Sequence, residues 1–511
     1  MFIGKCRRTA VVALAVAAAT LTFGTAAAQS NVAQLRAEVQ ANPGSVVAWV
    51  ALGNALYQSG QFDEAKEAFL EAIALDYRSG DAHYGLGLAE FARGDYQAAL
   101  FEFTEVTRLH PDRFDGHFNR GVTLARLRRS QDAAAAFREA LAQAEPEATR
   151  EDRVSALVAL AGQLELAGDH AGAAAAYADA LELEPENADF VLRRGQALHN
   201  AGQGLVALPE LIELEARSGD YRVSALIADV YVAQGQIDYA IWSLERALEK
   251  ARAAGDRSAE ASTLIKLGTL QRSLGREADA AESYRLAAEA DPASWEAQYN
   301  LGVTYLESGQ PRQALDALVR AEQQGGAGRP EVALALATAH DQLAQPQEAL
   351  GYAQRAVGGL DDPAQVVTAR FIAGRAHYRL GDYRAAADEF RAVLQARPAD
   401  PSAHMWAGLA AYQQGDYAAA VTSFERAVQL NPNSVEARAN LGAAYLAAQR
   451  YQEAENVYSL LVEQNARDVE ALYNLGWALY SQNRRSGAQD AWVSSCELGY
   501  QPACAAISNY L

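Results

Sequence analysis

Eight histidines, three cysteines and, beyond residue 28, three lysines (Lys66, Lys250, Lys266) are the side chains with which this 511-residue chain could do metal, acid–base or covalent chemistry. Zinc-dependent hydrolysis on a helix needs two histidines four apart with a glutamate between them. No histidine here is followed by Glu, so that motif is missing. A serine activated by lysine needs Ser three residues ahead of the Lys, and none of the three lysines has it. There is no G-x-S-x-G and no phosphate-binding P-loop. The segment "GLGLAE" at Gly85 lies inside a helical pattern with no strand before it, so it is not a dinucleotide loop. No catalytic residue, no metal site and no cofactor is expected.

The histidines do share one property, which is their place in a repeat. His83, His117 and His404 stand where Trp49 stands in an earlier segment, and His340 and His377 stand where Tyr305 does. These are packing slots. The skeleton recurs every 34 residues: Leu52-Gly53 is followed by Ala65, Phe69 and Ala72, and Leu86-Gly87 by Ala99, Phe103 and Pro111. The same register carries through Gly121/Phe137, Ala161/Tyr177 and Gly195/Leu211. It continues through Tyr231/Leu244, Gly268/Tyr284, Gly302/Leu318, Gly374/Phe390, Gly408/Phe424, Gly442/Tyr458 and Gly476/Trp492. With the unit around Ala349, thirteen units run from about Val46 to Pro502.

Trp49, Leu52 and Leu56 are three and four apart, one stripe of a helix; Ala65, Phe69 and Ala72 make a stripe on a second. Gly60 breaks the chain between them, and prolines such as Pro292 and Pro432 end the second helix. Gly53 and Ala65 lack bulk, so the two helices can approach closely. A lone pair leaves one apolar face bare, and only a stacked neighbour covers it. Two insertions of six residues, before the units at Val154 and Ala261, are expected to lengthen a second helix and its turn. The stretch "QQGGAGRP" (323–330) reads as a hinge or a longer loop between units.

This pattern resembles the tetratricopeptide repeat family over nearly all of residues 46–502. The resemblance implies an all-α solenoid, a right-handed superhelix of about thirteen helix-turn-helix repeats. Residues 29–45 would cap its N-terminal end and residues 503–511 its C-terminal end. It also implies a concave groove lined by the first helices at the second, fifth, sixth, ninth and twelfth offsets of each unit. Those offsets give Phe371, Arg375 and Tyr378; Met405, Trp406, Leu409 and Tyr412; and Tyr473, Asn474, Trp477 and Tyr480. Asn440 and Asn474 occupy the sixth offset, where family members use Asn to hold a peptide backbone. The alternative is that several of these rings pack between adjacent first helices. The basic pairs of the family's carboxylate clamp are absent. The closing "CELGYQPAC" looks like a junction of the cysteine-rich Sel-type repeats, which implies a Cys496–Cys504 disulfide. Two buried free thiols are the alternative.

"MFIGKCRR", an apolar run of about fifteen residues and "TAAAQS" have the layout of a secretory signal over residues 1–28, cut before Gln29. The run is short of the roughly twenty residues that span a bilayer. An exported protein, periplasmic or extracellular and without stable membrane insertion, is expected. The formal charge is −20, and loss of Lys5, Arg7 and Arg8 with the leader makes it −23. Such a surface repels phosphate backbones, so nucleic acid is not an expected partner. The expected role is a scaffold for other proteins or peptides, with an envelope-glycan accessory as the alternative.

Overall fold

The computed structural model describes residues 25–144 and 148–510. Residues 1–24, most of the expected leader, lie outside the described residues. Every regular element described is a helix, and the chain divides into two compact units, residues 1–253 and 254–511.

In the first unit α1 (Thr25–Ala41) precedes six helix pairs. They are α2 (Val46–Gln58) with α3 (Phe62–Leu75), α4 (Gly80–Arg93) with α5 (Tyr96–Leu109), and α6 (Phe114–Arg126) with α7 (Ser130–Ala142). Next come α8 (Arg150–Leu166) with α9 (His170–Leu183), α10 (Ala188–Asn200) with α11 (Gly204–Arg217), and α12 (Tyr221–Ala233) with α13 (Ile237–Ala253).

The second unit holds seven pairs and a last helix. The first four pairs are α14 (Arg257–Ser273) with α15 (Glu277–Ala290), α16 (Trp295–Glu307) with α17 (Pro311–Ala321), α18 (Pro330–Gln342) with α19 (Pro346–Gly359), and α20 (Pro363–Arg379) with α21 (Tyr383–Ala396). The others are α22 (Pro401–Gln413) with α23 (Tyr417–Leu430), α24 (Val435–Ala447) with α25 (Tyr451–Gln464), and α26 (Val469–Ser481) with α27 (Arg485–Glu497); α28 (Gln501–Tyr510) closes the chain.

Local chemistry sets these boundaries. Ser45, Ser79, Ser294 and Ser434 each accept, through Oγ, the backbone N–H three residues on, which starts α2, α4, α16 and α24. The turn within each pair places one residue at positive φ, as at Gly60 (78°) and Gly415 (78°). Arg128, Ala344, Gln449 and Asn483 adopt the same left-handed turn without being glycine.

In most units one buried ring joins the two helices; Leu211 and Leu318 take its place against Gly195 and Gly302. Phe69 is fully buried, and a Cβ added at Gly53 in α2 would sit 2.6 Å from its ring; one added at Gly85 in α4 would sit closer still. Phe69 therefore reaches both its own first helix and the next. Phe103, Phe137, Tyr284, Phe390, Phe424, Tyr458 and Trp492 repeat the contact with Gly87, Gly121, Gly268, Gly374, Gly408, Gly442 and Gly476. Successive first helices touch at every step from α14 to α26, while no consecutive second helices in that unit approach as closely among the described residues. The row whose members touch lies on the inside of the curve, so the first helices line the inner face of the second unit.

The insertions fall differently from the sequence expectation in one place. Ahead of Val154 the second helix α7 keeps 13 residues, and it is the first helix α8 that grows to 17, started by a reciprocal Thr149–Asp152 capping box. Ahead of Ala261 the expected lengthening is seen in α13, but α14 lengthens as well, both to 17 residues. The "QQGGAGRP" stretch leaves helical geometry in a kink at Gln324 and Gly325, with Gly325 at φ 112°. Arg355 ties it down through Glu322 (2.9 Å) and the Ala327 carbonyl (2.7 Å).

The histidine slots have a specific job. Trp49 Nε1 donates to the Pro43 carbonyl at 2.9 Å, across the turn that enters its unit. His83 and His117 Nε2 donate likewise to the carbonyls of Tyr77 and Pro111, each at 2.9 Å, and His404 Nε2 to that of Pro398 at 3.0 Å. His83 Nδ1 also lies 2.6 Å from a Glu102 carboxylate oxygen. Both nitrogens thus face acceptors, which requires the imidazolium. Burial opposes that charge, but the hydrogen bonds His83 donates to Glu102 and to the Tyr77 carbonyl outweigh it and raise the His83 pKa. A raised folded pKa stabilises the fold fully below about pH 6.5, the unfolded value, and that contribution disappears as pH rises through the folded value. Denaturant midpoints of the full chain should therefore decline over that window, and Glu102→Gln should flatten the decline; an unchanged slope would contradict the assignment.

Cys496 and Cys504 form a disulfide, with Cα atoms 4.9 Å apart. It ties α28, whose Ala503 and Ala506 are buried, to the end of α27. Closing so short a loop contributes about 2–3 kcal/mol by chain entropy. Cys504→Ser should strip α28 of hydrogen-exchange protection and leave α14–α24 unchanged. If alkylation without reductant labels both thiols of the denatured chain, the bond does not form.

Candidate binding groove

The residues at the groove offsets sort into three groups, all in the second unit. Around the buried Phe390 stand Phe371 (ring centroids 5.6 Å apart) and Trp406 (6.2 Å), with Tyr378 against Trp406 at 5.4 Å. The Arg375 guanidinium lies 5.3 Å from the Trp406 ring centroid. Each of these four side chains is half-buried, so each gives part of its surface to packing and keeps part open.

Arg375 is not a free cation. It lies 3.1 Å from an Asp341 carboxylate oxygen, and Arg379 holds the other at 2.7 Å. Burial lowers the Arg375 pKa, with Arg379 adding to the fall against the pull of Asp341. An arginine remains charged through such a shift. Its Nε is buried without a hydrogen-bond partner. Both arginines at this place are committed to one carboxylate.

The second group is Met405, Leu409, Tyr412 and Asn440. Met405, Leu409 and Tyr412 are half-buried against the core that joins α22 to α25. The Asn440 amide on α24 lies 3.8 Å from Met405 Sδ. Tyr412 packs on Tyr417 at 5.3 Å, as Tyr378 does on Tyr383 at 5.3 Å.

The two groups border a cleft of about 260 Å³ lined by Pro401, Ser402, Met405, Trp406, Leu409, Ala427, Asn431, Ser434, Glu436 and Ala437. Ser402, Met405, Trp406 and Leu409 hold the second, fifth, sixth and ninth offsets of one unit, and Glu436 the second offset of the next. Ser402 and Glu436 are residues at the rim that the reading by aromatic content passed over. Their signal was their offset, not their type.

The third group behaves otherwise. Trp477 lies 5.0 Å and Tyr480 5.6 Å from Tyr510 of α28, and both pack on the buried Trp492, at 5.2 and 5.6 Å. Tyr473 meets Tyr500 at 5.3 Å. In this last unit α28 takes the place of a further first helix, and its rings cover much of what the offset rule leaves open. Asn474 is half-buried.

Among the described residues no three His, Cys, Asp or Glu side chains gather as a metal site, and no helix is long and apolar enough to cross a membrane.

Profiles described as tetratricopeptide repeat match residues 50–105, 102–148, 165–222, 265–311 and 373–435, and a second such profile matches 411–475. No curated protein matches the chain. Among solved structures the chain is similar to the Naa15/Naa10 complex bound to HypK-THB, at 16% identity over 89% of this chain and 76% of that one, with a TM-score of 0.42. It is similar to a tetratricopeptide repeat protein from Parabacteroides merdae, at 17% identity over 51% and 98% of the two chains, TM-score 0.35. It is also similar to YrrB, a tetratricopeptide repeat protein with an unusual peptide-binding site, at 25% identity over 37% and 95%, TM-score 0.34. The profile matches cover more than half of the sequence, in register with the stacked helix pairs, and by them the chain belongs to the tetratricopeptide repeat family.

Proposed function

We propose that this protein is an exported scaffold that holds an extended segment of another protein in the groove of residues 371–440. The observation that carries the reading is the cleft between α22 and α24. Four groove offsets of one first helix and one of the next converge on it, with half-buried rings beside it. Half-buried aromatic and methionine side chains give contact area at low entropic cost, as binding surfaces need. Tyr473 and Asn474 extend the same face toward the C-terminal end. The role is binding, without turnover.

Export rests on the sequence pattern of residues 1–28. The Cys496–Cys504 bond supports it, since structural disulfides persist in oxidising compartments. Fractionation of the source cell, with Edman sequencing of the mature chain, should give a periplasmic or secreted protein starting at Gln29; a cytosolic chain starting at Met1 would end this part of the reading.

A photo-crosslinking residue at position 405, against one at the exposed Thr422 on α23, tests the groove. Discrete polypeptide adducts are expected at 405 and not at 422. Equal labelling at both positions would remove the groove from the account. Cosedimentation with purified cell wall that survives loss of every polypeptide adduct would favour the glycan alternative.

A further inference from the structure

We infer that the occupant of this groove is a basic segment, which seats one apolar side chain in the cleft over Met405 and Leu409 and sets a lysine or arginine against Glu436. This rests on the peptide reading above and adds the chemistry of the ligand.

Size comes first. The cleft holds about 260 Å³, below the roughly 300–1,000 Å³ of pockets built for whole small molecules, and suits one or two side chains. Met405, Leu409 and the Trp406 ring supply its apolar part, enough for one apolar side chain, while most of its lining is polar. Its polar edge is Ser402, Asn431, Ser434 and Glu436.

Charge comes second. Glu436 is exposed at the cleft, and no described cation pairs with it; Glu470, at the same offset of the next unit, is exposed and likewise unpaired. Four nearby arginines have partners elsewhere. Arg375 and Arg379 hold Asp341, and Arg370 lies 3.1 Å from Glu389. Arg438 is buried and donates to Gln464 at 3.0 Å. The start of α24, a potential anion site, is capped by Ser434, whose Oγ accepts from Ala437 N at 3.1 Å. A free carboxylate beside an apolar seat, on a chain of net charge −20, attracts cations and repels acidic segments within about 10 Å at 0.1 M salt.

The test uses the full chain and three fluorescent twelve-residue peptides in anisotropy titrations at 50 and 300 mM NaCl. One carries lysines around a central leucine, one glutamates around the same leucine, and one lysines around alanine. The lysine–leucine peptide should bind at least tenfold more tightly than the glutamate–leucine peptide at low salt. The alanine peptide should lose about tenfold, the size of a modest hot spot. Glu436→Gln with Glu470→Gln should weaken the lysine–leucine peptide about three- to fivefold at 50 mM and little at 300 mM, the behaviour of rim charges. Equal or tighter binding of the glutamate peptide overturns the charge assignment, and equal binding of the alanine peptide overturns the apolar seat. Either result leaves the groove itself standing. Binding of none of the three overturns the inference, and the position-405 crosslink then decides separately whether a polypeptide occupies the groove.

Discussion

Phe424→Ala should lower the stability of the second unit by about 3–5 kcal/mol, the usual cost of removing a large ring from a closed core. Phe424 is 1% exposed, and Gly408 faces it so closely that an added Cβ would lie 2.7 Å from the ring. Gly408→Val should cost a comparable amount from the opposite direction, because the ring has no room to retreat. A loss of this size is a large share of the roughly 5–15 kcal/mol that holds an ordinary domain together. In a stacked array each pair leans on its neighbours. Hydrogen-exchange protection should therefore fall in α20–α25 first, and fall less in α14–α16. Denaturant unfolding of the full chain gives the magnitude. A loss under about 1 kcal/mol, or one spread evenly over the unit, would mean that the ring-to-glycine contact is not what couples the pairs.

The second large effect belongs to Trp406→Ala, which should weaken capture of the crosslinked segment about 30-fold or more, as for central interface anchors worth about 2 kcal/mol. Trp406 is the wall that the cleft shares with Arg375 and Tyr378. Because it also lies 6.2 Å from Phe390, some stability goes with it. Met405→Ala is the companion variant: Met405 lines the same cleft and packs on a different core cluster, so its loss of affinity is compared with its own unfolding midpoint. Trp242→Ala, 51% exposed on α13, should leave affinity unchanged. Full affinity in both cleft variants would exclude the cleft as the seat. Trp477→Ala is expected to act mainly on stability, because its ring is packed with Trp492 and Tyr510.

The repeat was legible because its physics is periodic: Gly408 and Phe424 are sixteen residues apart in every unit that keeps both, and only stacking explains that constancy. The departures were less legible. The longer α8 is signalled by Thr149 and Asp152, a capping box that puts the six-residue insertion into the first helix and not into α7. The longer α20 was likewise marked by Asp362 before Pro363, a capped start with proline in the first turn. At the groove, four offset residues of α22 line the cleft. The offsets cannot convey that Asp341, one unit earlier, occupies Arg375 and Arg379. Nor do they register that Tyr510 lies over Trp477 and Tyr480, since α28 falls outside the 34-residue pattern. Periodicity encodes what units share, and the proposed groove depends on how particular units differ.

The most direct test is hydrogen exchange, followed by mass spectrometry, on the full chain with and without a saturating amount of the segment crosslinked at position 405. The account predicts new protection in α20, α22 and α24, at the end of α23 around Ala427 and at the turn around Ser434, with α21 and the first unit unchanged. Protection confined to α21 or α25 or to residues 25–253, or no change anywhere, would contradict it.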